Sequence, residues 1–209
     1  MTEPNPPDAP RIAGVILAAG KSRRMGRLKQ LLPFRGRPIL AHALDLGKAA
    51  DLHPLVFVLG HRADRIQKEM GMIAADVVIN KDYDTGMGTS IAAAVRQMEQ
   101  AGPQPDGVVF ILGDQPLVTP SVIHALCRAA EKSPDRIITP VFNGSQGNPV
   151  YFPARFFPQL RALSGDIGGR KVIREFPDAV IEVEVDTDTI FQDIDTPEDY
   201  AALCGGEDE

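Results

Sequence analysis

Residues 14–29 of this chain read GVILAAGKSRRMGRLK. An apolar strand is predicted from Ile12 to Leu17, and small residues follow it directly. The loop beyond them is rich in cations, among them Lys21, Arg23, Arg24 and Lys29. Because arginine and lysine side chains neutralise anionic oxygens, a strand that leads into such a loop indicates a site for phosphate groups.

Two glycines of this loop, Gly20 and Gly26, are expected to let the backbone adopt positive φ and approach a ligand closely. Backbone N–H groups turned inward at such positions form a nest for anionic oxygens. The alternative is an ordinary glycine-rich turn whose cations face only solvent. The concentration of positive charge in this one loop favours the anion-binding interpretation.

Two familiar phosphate loops do not fit this stretch. Gly20, Lys21 and Ser22 look like the end of a P-loop, with residues 108–114 as its acidic partner strand. A P-loop has four residues between its two glycines, whereas five separate Gly14 from Gly20 here, and Gly14 falls inside the predicted strand. The sequence also has no G-x-G-x-x-G, so a dinucleotide-binding turn is not supported.

The composition is that of a globular protein with a single domain. The chain has 209 residues, of which 44% are hydrophobic and 24% charged, both ordinary values. A net charge of −6 disfavours nucleic acid or an anionic membrane as the main partner. A cationic loop in an acidic chain suits a small anionic ligand instead.

Cysteine use and hydropathy predict the compartment. Cys127 and Cys204 are the only cysteines, so neither a disulfide framework nor a metal cluster is indicated, and a reducing compartment is expected. No apolar run approaches ~20 residues, and the N-terminus is rich in proline rather than basic and then apolar. We therefore expect a cytoplasmic protein without a membrane segment. Its domain is predicted over 11–204, between a disordered tail at 1–10 and an acidic tail at 205–209.

Strand-like and helix-like runs alternate along this domain. Short apolar runs at 55–59, 77–79 and 108–112 are predicted strands of a sheet covered on both faces. The pattern predicts an α/β domain with a Rossmann-like, doubly wound and mostly parallel sheet. The less regular stretch 137–194 is expected to add an antiparallel edge.

Helices are predicted between these strands from their apolar spacing. Apolar residues at i, i+3, i+4 and i+7 start at Leu40 and again at Ile91. Thr119 and Thr196 each precede a proline, which is typical of an N-cap followed by the first residue of a helix.

A set of short motifs, in one order, spans nearly the whole chain. The first is LAAG at 17–20 with Ser22, Arg24, Met25, Gly26 and Lys29. The others are GDQP at 113–116, GNPV at 147–150, GD at 165–166 leading to Gly168 and Arg170, and DIDTPED at 193–199. Together they resemble the MobA-like nucleotidyltransferases, and within them most closely the molybdenum cofactor cytidylyltransferases. The LAAG form is similar to the cytidylyltransferases, whereas guanylyltransferase relatives tend to carry LAGG.

The resemblance implies a fold of the nucleotide-diphospho-sugar transferase type and a Mg²⁺-dependent reaction. The enzyme would transfer CMP from CTP to the phosphate of a molybdopterin-type cofactor and release pyrophosphate. A molybdoenzyme or its maturation chaperone would be a partner. Two alternatives stay open: transfer to another phosphorylated acceptor such as a sugar phosphate, and a nucleotide-binding accessory protein for cofactor maturation without efficient turnover.

The resemblance also implies roles for charged residues. Arg24 and Lys29 would contact triphosphate oxygens and stabilise the departing pyrophosphate, and Asp114 would complete the catalytic set. Asp114 and Asp195 would hold Mg²⁺, which prefers carboxylate, phosphate and water oxygens. The alternatives are that Asp114 caps a turn at the end of a strand and that Asp195 only favours a helix N-terminus.

The remaining candidate residues bind the two substrates. Ser90 is expected near the nucleotide, with plain helix capping as the alternative. Asn148 stands where the family commonly has histidine, and asparagine cannot titrate near neutral pH. Asp166 and Arg170 resemble acceptor-binding positions but could be an i, i+4 pair on a surface helix. The predicted nucleotide-binding residues are Leu17, Ala18, Ala19, Gly20, Ser22, Arg24, Gly26, Lys29 and Ser90, and the predicted acceptor-binding residues are Asn148, Asp166 and Arg170.

Overall fold

The structure is a computed structural model that describes residues 10–71 and 76–205. The tails predicted at 1–10 and 205–209 therefore lie outside the described residues, except for Pro10 and Gly205. Gly205 is the last residue of the final helix.

The described residues form a large mixed sheet and a small hairpin. The strands of the large sheet are β1 (Ile12–Leu17), β4 (Leu55–Leu59), β5 (Asp76–Ile79), β6 (Gly107–Leu112), β7 (Ile137–Phe142), β8 (Ser145–Gln146), β9 (Val150–Pro153) and β10 (Val180–Glu184). The hairpin consists of β2 (Pro33–Phe34) and β3 (Arg37–Pro38). The order in the large sheet is β10-β7-β9-β6-β1-β4-β5, and β8 pairs with β7.

Most neighbours in this sheet are parallel, which confirms the predicted fold class. β1 pairs in parallel with both β4 and β6, β4 with β5, and β7 with β10. The antiparallel element expected at the edge is instead β9, which lies inside the sheet between β6 and β7. The edge strand β10 is parallel to its neighbour, so the prediction of an antiparallel edge was wrong in position. Local apolar patterning indicates a strand but not its place in the order of the sheet.

Helices cover both faces of the sheet. They are α1 (Ile39–Ala49), α2 (Ala63–Met70), α3 (Met87–Gln100), α4 (Pro120–Lys132), α5 (Phe157–Arg161), α6 (Arg170–Glu175) and α7 (Pro197–Gly205), with short 3-10 helices at Lys29–Leu31, Tyr83–Thr85, Ala154–Phe156, Pro177–Ala179 and Asp188–Phe191. None of the helices in the described ranges is long and apolar enough to cross a bilayer.

Alternation along the strands divides the core between the two faces. Ile12 and Ile16 of β1 pack into the cluster that includes α1 and α4, whereas Ala13 and Val15 pack into the cluster with α3 and α5. Successive side chains of a strand point to opposite faces, so a continuous apolar strand supplies both layers. The sheet is thereby buried on both sides and presents its strand ends to ligands.

The two predicted N-caps differ. At α7, the Thr196 hydroxyl accepts from Asp199 N at 3.2 Å, and the Asp199 carboxylate accepts from Thr196 N at 2.8 Å, a reciprocal cap. At α4, Thr119 makes no capping bond with its side chain; its hydroxyl instead lies 2.8 Å from Ser121 Oγ. The proline after Thr119 is the first residue of α4, as predicted.

Candidate active site

The carboxyl ends of β1 and β6 meet at one edge of the sheet. Leu17 is in register with Leu112, and Gly113 N donates to Leu17 O at 3.0 Å. A Cβ at Gly113 would lie 3.0 Å from Leu40 Cδ1 and 3.1 Å from Leu17 O, so a side chain here would press against its neighbours and glycine permits the close approach. The loop that follows β1 and the carboxylate of Asp114 therefore face the same space.

A cavity of about 530 Å³ opens at this edge and gathers most of the predicted site. Gly26 does not line it but lies in a second groove on the outer side of the loop. Gln30, Tyr83, Asp84 and Asp193 line the cavity without having been predicted to do so, and so does the loop cation Lys21. The predicted residues that line it are Leu17, Ala18, Ala19, Gly20, Ser22, Arg24, Lys29, Ser90, Asp114, Asp166 and Asp195.

An ammonium group between two carboxylates forms the polar centre of the cavity. Lys29 Nζ lies 2.6 Å from Asp114 Oδ2 and 2.8 Å from Asp195 Oδ1. Arg24 Nη2 lies 2.6 Å from the other oxygen of Asp195. The Lys29 side chain is 12% exposed and that of Arg24 is 68% exposed. We call these four residues, Arg24, Lys29, Asp114 and Asp195, the Lys29 cluster.

The pKa values of three charged side chains in the cavity are shifted by burial and by these contacts. Burial alone would lower the pKa of Lys29, but the charges and hydrogen bonds of Asp114 and Asp195 outweigh it and raise the pKa above its ordinary value. Burial would raise the pKa of Asp195, but Lys29 and Arg24 outweigh it and hold that pKa below its ordinary range. At Asp193, burial followed by the charge of Asp114 raises the pKa. The raised pKa of Lys29 and the lowered pKa of Asp195 thus keep this pair ionised near neutral pH.

Asp195 reaches the cavity through contacts that the sequence does not signal. Ile194 N donates to Asp114 O at 3.0 Å, so the two aspartate segments lie side by side. The buried Gln115 amide donates to Ile190 O at 3.2 Å and to the Asp193 carboxylate at 2.6 Å. Gln115 stands in the GDQP motif, but only the folded chain shows that its side chain anchors the DIDTPED segment.

The loop after β1 turns at a serine rather than at its first glycine. Gly26 has φ +69° and Ser22 has φ +53°, whereas Gly20 is not in the positive-φ region. The expectation for Gly20 was therefore wrong. The Ser22 hydroxyl accepts from Lys29 N at 3.3 Å, which ties the strained residue to the start of the next 3-10 helix. A Cβ at Gly20 would meet nothing within 4 Å, so space for a ligand lies in front of it.

The far wall of the cavity is formed by the short 3-10 helix after β5 and by the start of α3, from which Tyr83, Met87 and Ser90 line it. Buried Asn80 donates to Thr89 Oγ1 at 2.9 Å and to Ser90 Oγ at 3.0 Å. Ser90 lies inside α3, whose N-cap is Gly86, so the capping alternative for Ser90 was wrong. Neither Asn80 nor Thr89 was predicted from the sequence, since each looks like an ordinary loop or helix residue there.

The three predicted acceptor residues are placed apart. Asp166 lines the cavity, because Gly88 N donates to Gly165 O at 3.0 Å and holds this turn against α3. Arg170 begins α6 and is exposed, and Asp166 precedes that helix, so they are not an i, i+4 pair on one helix. Asn148 donates its N–H to Ile190 O at 3.1 Å. Neither Asn148 nor Arg170 lines the cavity, and their acceptor role stays a prediction.

The donor set of the cavity fits a hard divalent cation that shares its ligands with a substrate. Within 10–71 and 76–205, no group of three or more histidine, cysteine, aspartate or glutamate residues is arranged to hold a metal by itself. Asp114 and Asp195 nevertheless direct carboxylate oxygens at one point, where Lys29 Nζ now lies. One or two carboxylates completed by phosphate oxygens and water are the usual protein ligands of Mg²⁺.

Known proteins resemble this chain over almost all of its length. The family model of the MobA-like NTP transferase domain matches residues 14–180. The purine catabolism protein PucB of Bacillus subtilis is 32% identical over 207 residues, covering 92% of this chain and 95% of PucB. The nicotine blue oxidoreductase of Paenarthrobacter nicotinovorans is 29% identical, covering 94% of this chain and 98% of that protein.

A solved structure superposes on the described fold. Rv0371c from Mycobacterium tuberculosis H37Rv, crystallised as a complex with manganese, gives a TM-score of 0.80 at 31% identity. The match covers 93% of this chain and 98% of Rv0371c. Sequence and structure comparisons thus agree along nearly the whole chain.

Proposed function

This chain belongs to the MobA-like NTP transferase family, and from that premise we propose that it transfers CMP from CTP to a phosphorylated, molybdopterin-type acceptor. The observation that carries the proposal is the Lys29 cluster beside the loop 18–24 in one cavity. Cations and paired carboxylates at the carboxyl edge of a mostly parallel sheet are suited to a nucleotide.

The reaction requires little covalent chemistry from the protein. An oxygen of the acceptor phosphate forms a bond with the α-phosphorus of the nucleotide, the bond to the β-phosphate breaks, and pyrophosphate leaves with the electron pair. Such a displacement depends on positioning and on neutralising charge. Lys29 and Arg24 supply fixed positive charge for the triphosphate and for the leaving pyrophosphate. Phosphate oxygens can replace the Asp195 carboxylate as the partner of both cations.

Asp114 and Asp195 are the proposed ligands of a divalent cation, and Mg²⁺ is the proposed ion. The manganese complex of Rv0371c supports a divalent cation in this family. Such an ion, when bound, neutralises phosphate charge and polarises the reacting phosphoryl group. The part played by the chain itself is to aim two carboxylates at one point and to hold Lys29 next to them.

The identity of the base is proposed from Ala19. Ala19 lines the cavity, is 6% exposed and belongs to the core cluster that includes residues of β1 and β4. A methyl group at this position reduces the space available to a base, which suits cytosine better than the larger guanine. The acceptor is proposed from the motifs at 147–150 and 165–170, of which Asp166 lies at the cavity.

Pyrophosphate release tests the proposal. The protein is incubated with Mg²⁺ and each of CTP, GTP, ATP and UTP, with a molybdopterin-type acceptor or with sugar phosphates. We expect release with CTP that depends on the molybdopterin-type acceptor and that falls sharply in Asp114→Asn. If pyrophosphate release depends on a sugar phosphate, the proposed acceptor is wrong. If release occurs with GTP rather than CTP, the proposed base is wrong. No release with any pair would favour the accessory-protein alternative.

A further inference from the structure

Gln30 is a buried amide that directly follows the catalytic lysine. Gln30 is 2% exposed and lies in the 3-10 helix Lys29–Leu31. Its Nε2 donates to Ala18 O at 3.2 Å and to Gly20 O at 3.0 Å. Its Oε1 accepts from Ser22 Oγ at 3.3 Å. A single amide thus contacts three residues of the loop and leaves neither end of the group unused.

These contacts determine which way the loop peptides face. In a trans peptide, the C=O of one residue and the N–H of the next point in opposite directions. Because Gln30 holds the carbonyls of Ala18 and Gly20, the N–H groups of Ala19 and Lys21 point away from Gln30. The carbonyl between them, Ala19 O, accepts from His61 N at 3.1 Å, so the N–H of Gly20 points away from His61.

Three successive loop N–H groups are left available to a ligand. Within the described residues, the N–H groups of 19–21 donate to no protein acceptor, whereas the carbonyls of 18–20 all accept. An anion bound here would meet donors and would be kept from the carbonyl oxygens, which would repel it. Successive N–H groups without a protein acceptor are what a backbone nest uses to bind phosphate oxygens.

We propose that Gln30 is a positioning residue, which orients the backbone of 18–22 so that its N–H groups bind the triphosphate. The inference deepens the proposed function and rests on it for the identity of the ligand. Ser22 extends the link, because its hydroxyl donates to Gln30 and accepts from Lys29 N. Gln30 thereby fixes the loop relative to the lysine that neutralises the same phosphates. Glutamate would lack the donors, and methionine would fill the volume without either function.

The binding test uses Gln30→Met, which preserves the approximate shape of the side chain. We expect the Kd for CTP, measured calorimetrically with Mg²⁺, to rise about tenfold or more, because two carbonyls lose their donor and the loop can rotate. The Kd for cytidine, measured by competition, should change little, since the nucleoside has no phosphate. Ser22→Ala should show the same selectivity with a smaller rise.

A matched control separates positioning from loss of stability. Ile123→Val shortens a fully buried side chain of α4 in the core and should weaken the fold without changing the Kd for either ligand. An unchanged Kd for CTP in Gln30→Met would overturn the positioning role. So would equal losses for CTP and cytidine, which would mean that the amide supports the pocket in general.

A second measurement does not depend on nucleotide binding. Trypsin cleaves after the loop cations Lys21, Arg23 and Arg24, and its rate follows how often the loop opens. In the ligand-free protein, Gln30→Met should be cleaved at these sites about tenfold faster than Ile123→Val, because the loop carbonyls have lost their donor and the loop opens more often. Equal cleavage would overturn the inference. If the wild type binds no nucleoside triphosphate, the proposed function is wrong, and the cleavage rates alone decide the role of Gln30.

Discussion

Two sets of polar side chains around the cavity differ in how they are held. The Lys29 cluster is linked internally by three contacts of 2.6–2.8 Å, and Gln30 and Ser22 join it to the loop. Among the described residues, by contrast, the side chains of Asn148, Asp166 and Arg170 make no hydrogen bond or ion pair with the rest of the protein. One set is organised before any ligand binds, and the other is not.

The difference indicates where each set obtains its order. A preorganised site spends less of its binding free energy on fixing side chains. The Lys29 cluster should therefore contribute large and specific effects to nucleotide binding and turnover. The proposed acceptor residues lack such contacts in the free protein, so their individual substitutions should have small effects that appear in the acceptor KM.

Removal of the Lys29 ammonium tests the organised set most severely. Lys29→Met should lower kcat for pyrophosphate release by about 10²-fold. A loss of this size is typical when an enzyme loses one preorganised group that stabilises charge developing in the transition state. Lys21→Met is the matched control, because Lys21 also lines the cavity but pairs with the half-exposed Asp84. Its loss should stay under about tenfold. Equal losses for both variants would mean that the loop acts only through its overall field.

A smaller effect is expected from a change at Ala19, the residue proposed to limit the space for the base. Ala19→Gly removes one methyl group from the cavity wall and should shift the ratio of kcat/KM for CTP over GTP by roughly tenfold toward GTP. Overall activity should also fall, because a second glycine beside Gly20 loosens the loop. An unchanged ratio would place base selection on the opposite wall, at Asn80 to Ser90.

The acceptor set should respond only weakly. Arg170→Ala should raise the acceptor KM by about threefold to tenfold, the size of an exposed ionic contact, and should leave the KM for CTP unchanged. Steady-state kinetics with each substrate varied in turn separates the two constants. A loss of kcat as large as that of Lys29→Met would show that Arg170 belongs with the organised set and would break the comparison.

The smallest effect concerns stability at low pH. Because the pKa of Asp195 is held below its ordinary 3.8 in the folded protein, its contribution to stability is present above 3.8 and is lost as the pH falls through the lower, folded value. The difference in free energy of unfolding between the wild type and Asp195→Asn should therefore shrink as the pH falls below about 4. Urea denaturation at a series of pH values measures it, and a constant difference would contradict the lowered pKa.

The sequence predicted the parts of the site that depend on local pattern. Strand β1, the cations after it and Asp114 all follow from apolar runs that end at one sheet edge. It did not predict contacts that depend on tertiary structure. In the sequence, Gln30 looks like an ordinary polar residue between Lys29 and Leu31. Only the folded chain shows that its amide donates to the carbonyl of Ala18, twelve positions away. The place of β9 inside the sheet was missed, because a four-residue apolar run indicates a strand but not its neighbours in the sheet.

We propose that Asp114 and Asp195, which contact Lys29 in the free protein, hold a divalent cation together with the triphosphate. Calorimetric titration of CTP with and without Mg²⁺, in the wild type and in Asp114→Asn, tests it most directly. We predict that Mg²⁺ tightens CTP binding by the wild type and gives little or no gain in Asp114→Asn, since the hard cation loses a charged ligand. An equal gain from Mg²⁺ in both proteins would contradict the assignment.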